Sequence, residues 1–419
     1  MLPINFSIIL LSMKNKVILL LIILISTNTY SQIVDIPDTN FKFILTNLPC
    51  VDTNGDGYGD SDVDTNDDGE IQVTEAETVL WLIVGGLTVN SIEGLQSFIN
   101  LVELRLIDLD INNLDFSQNI QLEKLSIGEG PINSIDLNQN INLIELRISH
   151  TQITELVLTN NQQLLKLTCA SNPITTIDIS QNVNLIELNC TYSPLTEIDV
   201  SQNIALEDIG MWNNQLTFLD INQLYNLKEL NVDGNQLTEL DVSNNPNLEE
   251  IIVDYNSITS LDVSQNPNLF RVTISYNNLI NLNLKNGNTN NIFKMWAHEN
   301  SNLTCIQVDD VTYPSTQVCT SWDGWCKDET AVYSEDCNLG LEDILTTQIT
   351  LYPNPAQNVL LIQSQVSIKS ILVYDVLGNL VLEQQNAFNQ IELSHLKSGL
   401  LFIKLETDQG ILVKKVLKK

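Results

Sequence analysis

The residues best suited to chemistry in this 419-residue chain lie between Asp52 and Glu77. Asp64, Asn66 and Asp68 stand at alternate positions, Gly69 comes next, and Glu70, Gln72 and Glu75 extend the run. Oxygen donors dominate, and no histidine or cysteine is interleaved. No basic residue occurs between Lys42 and Arg105, so these carboxylates repel one another unless a cation joins them. A hard divalent cation such as calcium takes about six to eight oxygens, which is the chemistry this set provides. A shorter version precedes it. Asp52, Asn54 and Asp56 alternate and Gly57 comes next, but Val63 stands where a closing glutamate belongs, so Asp60 or Asp62 has to serve instead.

The run from Asp64 to Glu75 matches D-x-[DN]-x-[DN]-G-x5-E in full and resembles the EF-hand calcium loop. The resemblance implies ligation by Asp64, Asn66 and Asp68, a tight turn at Gly69, and the carbonyl of Glu70. It further implies a direct or water-mediated contact from Gln72 and a bidentate carboxylate from Glu75. The two loops together look like the tandem acidic calcium repeats of extracellular proteins. Weak affinity suffices where calcium is plentiful, and the expected role is structural.

Something must hold these loops in place. Upstream, Phe41, Ile44, Leu45 and Leu48 recur at helical spacing after Asp38, a suitable N-cap. Residues 32–77 are therefore expected to form a helix and an acidic segment that cover the open end of a repeat region. From Ile99 to Gly287 the chain divides into nine consecutive units of 21 residues, with 78–98 a divergent unit before them. One unit is YNLKELNVDGNQLTELDVSNN, from Tyr225 to Asn245. Positions 6 and 8 alternate as one face of a short strand requires, and positions 13, 16 and 18 return the chain along the other side. A single unit cannot enclose its own apolar residues, so stacked units share one continuous core. At a strand spacing of ~4.8 Å, nine units extend roughly 40 Å.

Position 11 carries Asn172, Asn214, Asn235, Asn256 and Asn277, with Thr151 and Ser193 in two earlier units, and position 21 carries Asn119, Asn140, Asn161, Asn182, Asn203, Asn245 and Asn266. Both columns are expected to turn inward and bond backbone groups. Asp recurs at position 17, where each copy is expected to accept a local backbone hydrogen bond. This arrangement resembles the leucine-rich repeat family in its short bacterial form, as in internalins. The resemblance implies a mostly β fold: a solenoid over 78–287 with a parallel strand ladder on one face. It also implies a recognition scaffold, without naming the ligand. The ladder's outward positions bear Tyr192, Trp212, Asn213, Asp233, Tyr255 and Tyr276, aromatics beside carboxylates and amides that suit sugar rings or a basic peptide. Cys169 and Cys190, both at inward position 8, are expected to be small buried hydrophobes.

After Gly287 the period stops, and residues 288–338 hold Cys305, Cys319, Cys326 and Cys337. A loop-rich cap is expected there, with Cys305 paired to Cys337 and Cys319 to Cys326. Residues 339–346 form a linker. From 347 to 419 short alternating segments predict a small antiparallel β-sandwich with a basic last strand. Tyr352-Pro-Asn-Pro355, Asp375-Val-Leu-Gly-Asn379, Leu393-Ser-His-Leu-Lys-Ser-Gly399 and the Lys-Lys ending resemble the C-terminal sorting domain of the type IX secretion system of Bacteroidota. That implies passage across both membranes of a Gram-negative cell, and a mature protein attached to the outer surface or released. At the other end, Met13-Lys-Asn-Lys16 and the apolar run Val17 to Ile25 form a signal peptide within 1–31, with Met13 the expected true start and no transmembrane segment in the mature chain.

The formal charge of −33 with three arginines excludes nucleic acid as a partner and favours divalent cations. No nucleophile elbow, phosphate loop or zinc spacing occurs, and the three histidines are scattered. The sequence therefore points away from an enzyme. It points to a secreted or surface recognition protein that binds an extracellular protein or polysaccharide and is stabilised by calcium. The alternative is a structural surface-layer or matrix component that binds copies of itself.

Overall fold

The computed structural model describes residues 32–320, 322–337, 349–407 and 411–419; the signal peptide and linker expected from the sequence lie outside them. The chain divides into two compact units, 1–333 and 334–419.

The first unit is a stack of turns. Twelve parallel strands succeed one another in chain order, from Trp81–Val84 through Glu103–Ile107 and Lys124–Gly128 to Lys294–Ala297 and Gly324–Lys327. Register repeats the sequence period, as in Glu229 opposite Glu250 and Leu230 opposite Ile251. The apolar residues at positions 3, 6 and 8 are buried, for example Leu227, Leu230 and Val232. One continuous core runs from Val34 to Ala331, as expected for turns too small to bury their own side chains. The chain is thus built as a leucine-rich repeat solenoid.

Each turn is tied to the one before. Asn235 donates from Nδ2 to the Met211 and Val232 carbonyls at 2.8 and 3.0 Å, while its Oδ1 accepts the Leu216 N–H at 3.0 Å. Asn182 donates to the carbonyls of Leu158 and Asn161. The structure adds a third column: position 2 carries asparagines such as Asn184, Asn226 and Asn247, which donate across the outer edge to the preceding turn. The aspartates of position 17 behave as local bonding demands. Asp115, Asp178, Asp199, Asp241 and Asp262 each accept the N–H of the serine two residues on.

Two expectations require correction. Cys169 and Cys190 are not isolated hydrophobes; they form a disulfide between adjacent rungs, with Cα atoms 4.7 Å apart. Inward side chains at equal positions of neighbouring parallel strands lie within bonding reach of each other. The region after Gly287 is also less loop-rich than expected. The period breaks there, but the ladder continues through Lys294–Ala297 and Gly324–Lys327, and a rear sheet continues through Cys305–Gln307 and Val332–Ser334. Cys319, in the insertion between the last two ladder strands, is joined to Cys326 in the last strand itself, and Cys305 and Cys337 are also disulfide-bonded.

At the opposite end, helix Thr39–Asn47 is capped by Asp38, whose Oδ1 accepts the Asn40 and Phe41 N–H groups. Its Oδ2 accepts those of Asn90 and Ser91, which fastens the helix to the first turn. Phe41, Ile44 and Leu45 are fully buried there.

The second unit has one antiparallel sheet of Ile349–Tyr352, Val359–Ser364 and Gln390–Glu392, and another of Leu380–Gln384, Ile368–Tyr374, Gly399–Thr407 and Ile411–Lys418. They share a core of residues such as Leu360, Ile371 and Ile403. This is the small two-sheet domain expected from the alternation.

Candidate functional site

The two acidic loops fold alike. In the second, the Asp64 carboxylate accepts the N–H groups of Asp68 and Gly69 at 3.2 and 2.7 Å. Asn66 Oδ1 accepts from Asp68, and Asp68 Oδ1 from Glu70. In the first, Asp52 accepts from Gly55 and Gly57 at 2.6 and 2.7 Å, Asn54 from Asp56, and Asp56 from Tyr58. Gly57 and Gly69 both turn in the left-handed region, where a side chain is strained.

The closing residues differ. Glu75 accepts Thr65 N–H and hydroxyl on one oxygen and Gln72 N–H on the other. Asp60 takes the matching part in the first loop, accepting Thr53 N–H and hydroxyl, while Val63 is buried. Asp60, rather than Asp62, thus makes the hydrogen bonds that correspond to those of Glu75. Asp62 is displaced upward in pKa by burial and by the neighbouring Asp64 charge. For Asp52 burial acts upward, but the N–H groups of Gly57, Gly55 and Asn54 prevail and lower it. Lys42 reaches Glu70 at 2.6 Å, and Arg105 donates to the Gly57 carbonyl. Each carboxylate keeps lone pairs beyond those used by N–H groups. In this conformation, no group of three or more aspartate, glutamate, histidine or cysteine side chains among the described residues is arranged to hold a metal ion.

The ladder's outer face carries the second set. At position 10 every repeat adopts the left-handed conformation: Asp108, Glu129, His150, Ser171, Tyr192, Asn213, Gly234, Tyr255 and Tyr276, with φ from 51° to 65°. A single glycine serves among the nine, although the conformation costs about 1–2 kcal/mol for any other residue. The signal for this column was the repeated bend after the strand, which the period alone did not disclose. It fans the side chains outward. Tyr255 and Tyr276 stack at 4.3 Å between ring centroids, and Tyr192 meets Trp212 edge-on at 4.4 Å. Tyr276 in turn touches His298 edge-on, and Lys294 Nζ lies 3.6 Å from the centroid of the Trp296 ring. Gly234 stands between the two aromatic pairs without a side chain, and the Asn213 side chain takes up the space a Cβ would need there.

Charges along position 5 are partly matched. Lys124 lies 3.6 Å from Glu103, Lys166 2.6 Å from Glu187, and Arg271 3.1 Å from Glu250. Asp208 is pushed up to about 6 by burial and by the nearby Glu229 and Glu187. Asp233 is likewise pushed up to about 6 by burial and by Asp254.

Residues 350–419 match the family described as the secretion system C-terminal sorting domain, and this tail is a type IX sorting domain. Among solved structures, the chain is similar to the functional domain of InlJ from Listeria monocytogenes, which includes a cysteine ladder. Identity is 20%, with 84% of this chain and 93% of that one covered and a TM-score of 0.47. It is also similar to the internalin InlF of Listeria monocytogenes, at 18% identity, 64% and 90% coverage and a TM-score of 0.38. A leucine-rich repeat protein of Leptospira interrogans is similar at 20% identity, 56% and 85% coverage and a TM-score of 0.39. No curated protein matches the chain. No helix among the described residues is long and apolar enough to cross a membrane.

Proposed function

We propose that the protein is exported by the type IX machinery to act as a non-enzymatic recognition protein, its ladder face binding an extracellular protein or polysaccharide and its acidic loops holding calcium. The observation that carries the first part is the left-handed column. Tyr192, Tyr255 and Tyr276 stand at the bend that every repeat makes at position 10, which leaves their rings exposed in pairs on the ladder face, Tyr192 against Trp212 and Tyr255 against Tyr276. Rigid aromatics on a parallel ladder lose little entropy on binding. The test is capture of surface polysaccharide and extracellular protein by the mature chain, compared with a Tyr255→Ala/Tyr276→Ala variant. Saturable capture lost in the variant supports the reading, whereas equal capture sinks it.

The calcium reading rests on the shared fold of the two loops. Asp64, Asn66, Asp68, the Glu70 carbonyl, Gln72 and Glu75 would hold one ion, and Asp52, Asn54, Asp56 and Asp60 a weaker one. A small inward shift of Glu75 would add the bidentate ligand. Bound calcium would order the N-terminal cap without entering any reaction. Calorimetric titration and thermal unfolding test this: saturable heat and a raised Tm, both lost in Asp64→Ala/Glu75→Ala, are expected. Silence at millimolar calcium would remove the metal from the proposal.

Self-association is a second reading, favoured by one feature. Ile99, Ile120, Ile141, Val183, Ile204 and Tyr225 form an exposed apolar column at position 1. Sedimentation across a concentration range, with and without calcium, separates a monomeric receptor from an assembling layer.

A further inference from the structure

The middle of the ladder face contains a built recess. Gly210 occupies position 7 between Asn189 and Asn231, and its missing side chain opens a hollow of about 170 Å³. Trp212 and Ile252 stand among its lining residues, together with the carboxylates of Asp208, Glu229 and Glu250.

The charge column explains what this hollow lacks. Lys166 answers Glu187 at one end and Arg271 answers Glu250 at the other. Asp208 and Glu229 lie between them with no ion-pair partner among the described residues. The face has therefore matched its own charges up to the recess from both sides and stopped. The elevated Asp208 fits this picture, since burial and the charges of Glu229 and Glu187 outweigh the opposing charge of Lys166. Further along the same face, Lys294 shows what such ground does with an amine. Its ammonium lies over the Trp296 ring, within the field of Asp254 and Glu250.

We propose that this recess takes a single arginine or lysine side chain from a basic segment of a protein partner, the cation lying between Asp208 and Glu229 with Trp212 beside it. The assignment rests on the reading of the ladder face as a recognition surface and narrows its partner to a cationic polypeptide. Arginine suits it best. A planar guanidinium can bond two carboxylates and lie against an indole at once, which a compact ammonium cannot do as fully. A neutral sugar would leave the carboxylate pair uncompensated in the bound state. The ring pair at Tyr255 and Tyr276 also spends its inner faces on mutual stacking, so it offers a pyranose less flat surface than two separate rings.

The decisive variant is Gly210→Val. It fills the recess, keeps net charge unchanged and suits a strand. An added Cβ meets only the Asn189 side chain, at 3.4 Å, so the backbone has no reason to move. A labelled octapeptide of alternating arginine and glycine, an alternating glutamate and glycine counterpart, and a neutral β-glucan oligosaccharide are titrated into the mature full chain. The expected result is saturable binding of the arginine peptide alone. It should weaken at least about tenfold in both Gly210→Val and Asp208→Asn/Glu229→Gln, and stay unchanged in Asp178→Asn on the rear face. Circular dichroism confirms that each variant is folded. If Gly210→Val binds the arginine peptide as the parent does, the attraction is the diffuse field of an acidic protein and the recess is refuted. If the oligosaccharide binds instead, with loss in Tyr255→Ala, the recognition surface stands and the cationic assignment falls. Failure of all three probes, with no partner captured from extracts, removes both.

Discussion

The asparagine at position 11 gives the sharpest test of what holds the solenoid together. Removing the Asn235 side chain deletes two hydrogen bonds to the Met211 and Val232 carbonyls. Those carbonyls retain other donors, Asn214 and Asn256 respectively. The Leu216 N–H differs, since it is buried and its acceptor is Asn235 Oδ1. Two lost bonds at about 0.5–1.5 kcal/mol each, plus an orphaned buried donor at about 1–3 kcal/mol, give a destabilisation of roughly 2–6 kcal/mol for Asn235→Ala. Asn247 is the matched control. It also donates across a turn, to the Tyr225 carbonyl at 2.9 Å, but it is exposed. Water replaces that bond, so Asn247→Ala should cost no more than about 1 kcal/mol. Urea unfolding monitored by tryptophan fluorescence compares the two. Amide exchange at Leu216 supplies a local readout that does not depend on two-state behaviour. Equal destabilisation by the two variants, or undiminished protection at Leu216 in Asn235→Ala, would refute the reasoning.

Other perturbations draw on the same geometry. Ser193 interrupts the run of asparagines at position 11 between Asn172 and Asn214, so Ser193→Asn should supply the longer amide and stabilise by about 1 kcal/mol, read as a higher urea midpoint. Replacing Cys169 and Cys190 together by alanine opens a loop with a sequence separation of 21 and should cost about 3 kcal/mol by loop entropy, measured under oxidising conditions. Asp208 and Asp233 have folded pKa values of about 6, above the unfolded carboxylate value, so the folded state holds more protons than the unfolded one between about pH 4 and pH 6. Their contribution to stability should therefore be largest at the acid end of that window and decline as pH rises through it. Asp208→Asn should flatten that slope, which thermal melts at several pH values would detect.

Much of this fold is legible in the sequence because its rules are local. A period of 21 with apolar residues at fixed places forces stacking, and Asp38 before Phe41 announces a capped helix. The shared fold of the acidic loops is equally legible, and Thr53 shows which of Asp60 and Asp62 stands where Glu75 does, a point the sequence leaves open. The remainder escapes for physical reasons. The Cys169–Cys190 bond depends on two rungs being neighbours, and judging each cysteine by its own burial overlooks the pair. The last two ladder strands come after gaps longer than one period, so Met295 and Trp325 lose their alignment in sequence while keeping it in space. The recess at Gly210 is invisible because it consists of a side chain that is not there.

The asparagine columns have a consequence for how such a chain changes length. Their bonds reach across a single turn: Asn182 to Asn161 and Leu158, Asn235 to Leu216 and Met211. An interior turn therefore senses only its two neighbours, and a whole turn can be gained or lost without altering the surroundings of any other except at the joint. Duplication of one coding unit lengthens the rod by a rung and carries the aromatic pairs further from one cap, leaving their own spacing intact. Reach and specificity can then vary separately, the first by counting turns and the second by changing the few residues that face outward.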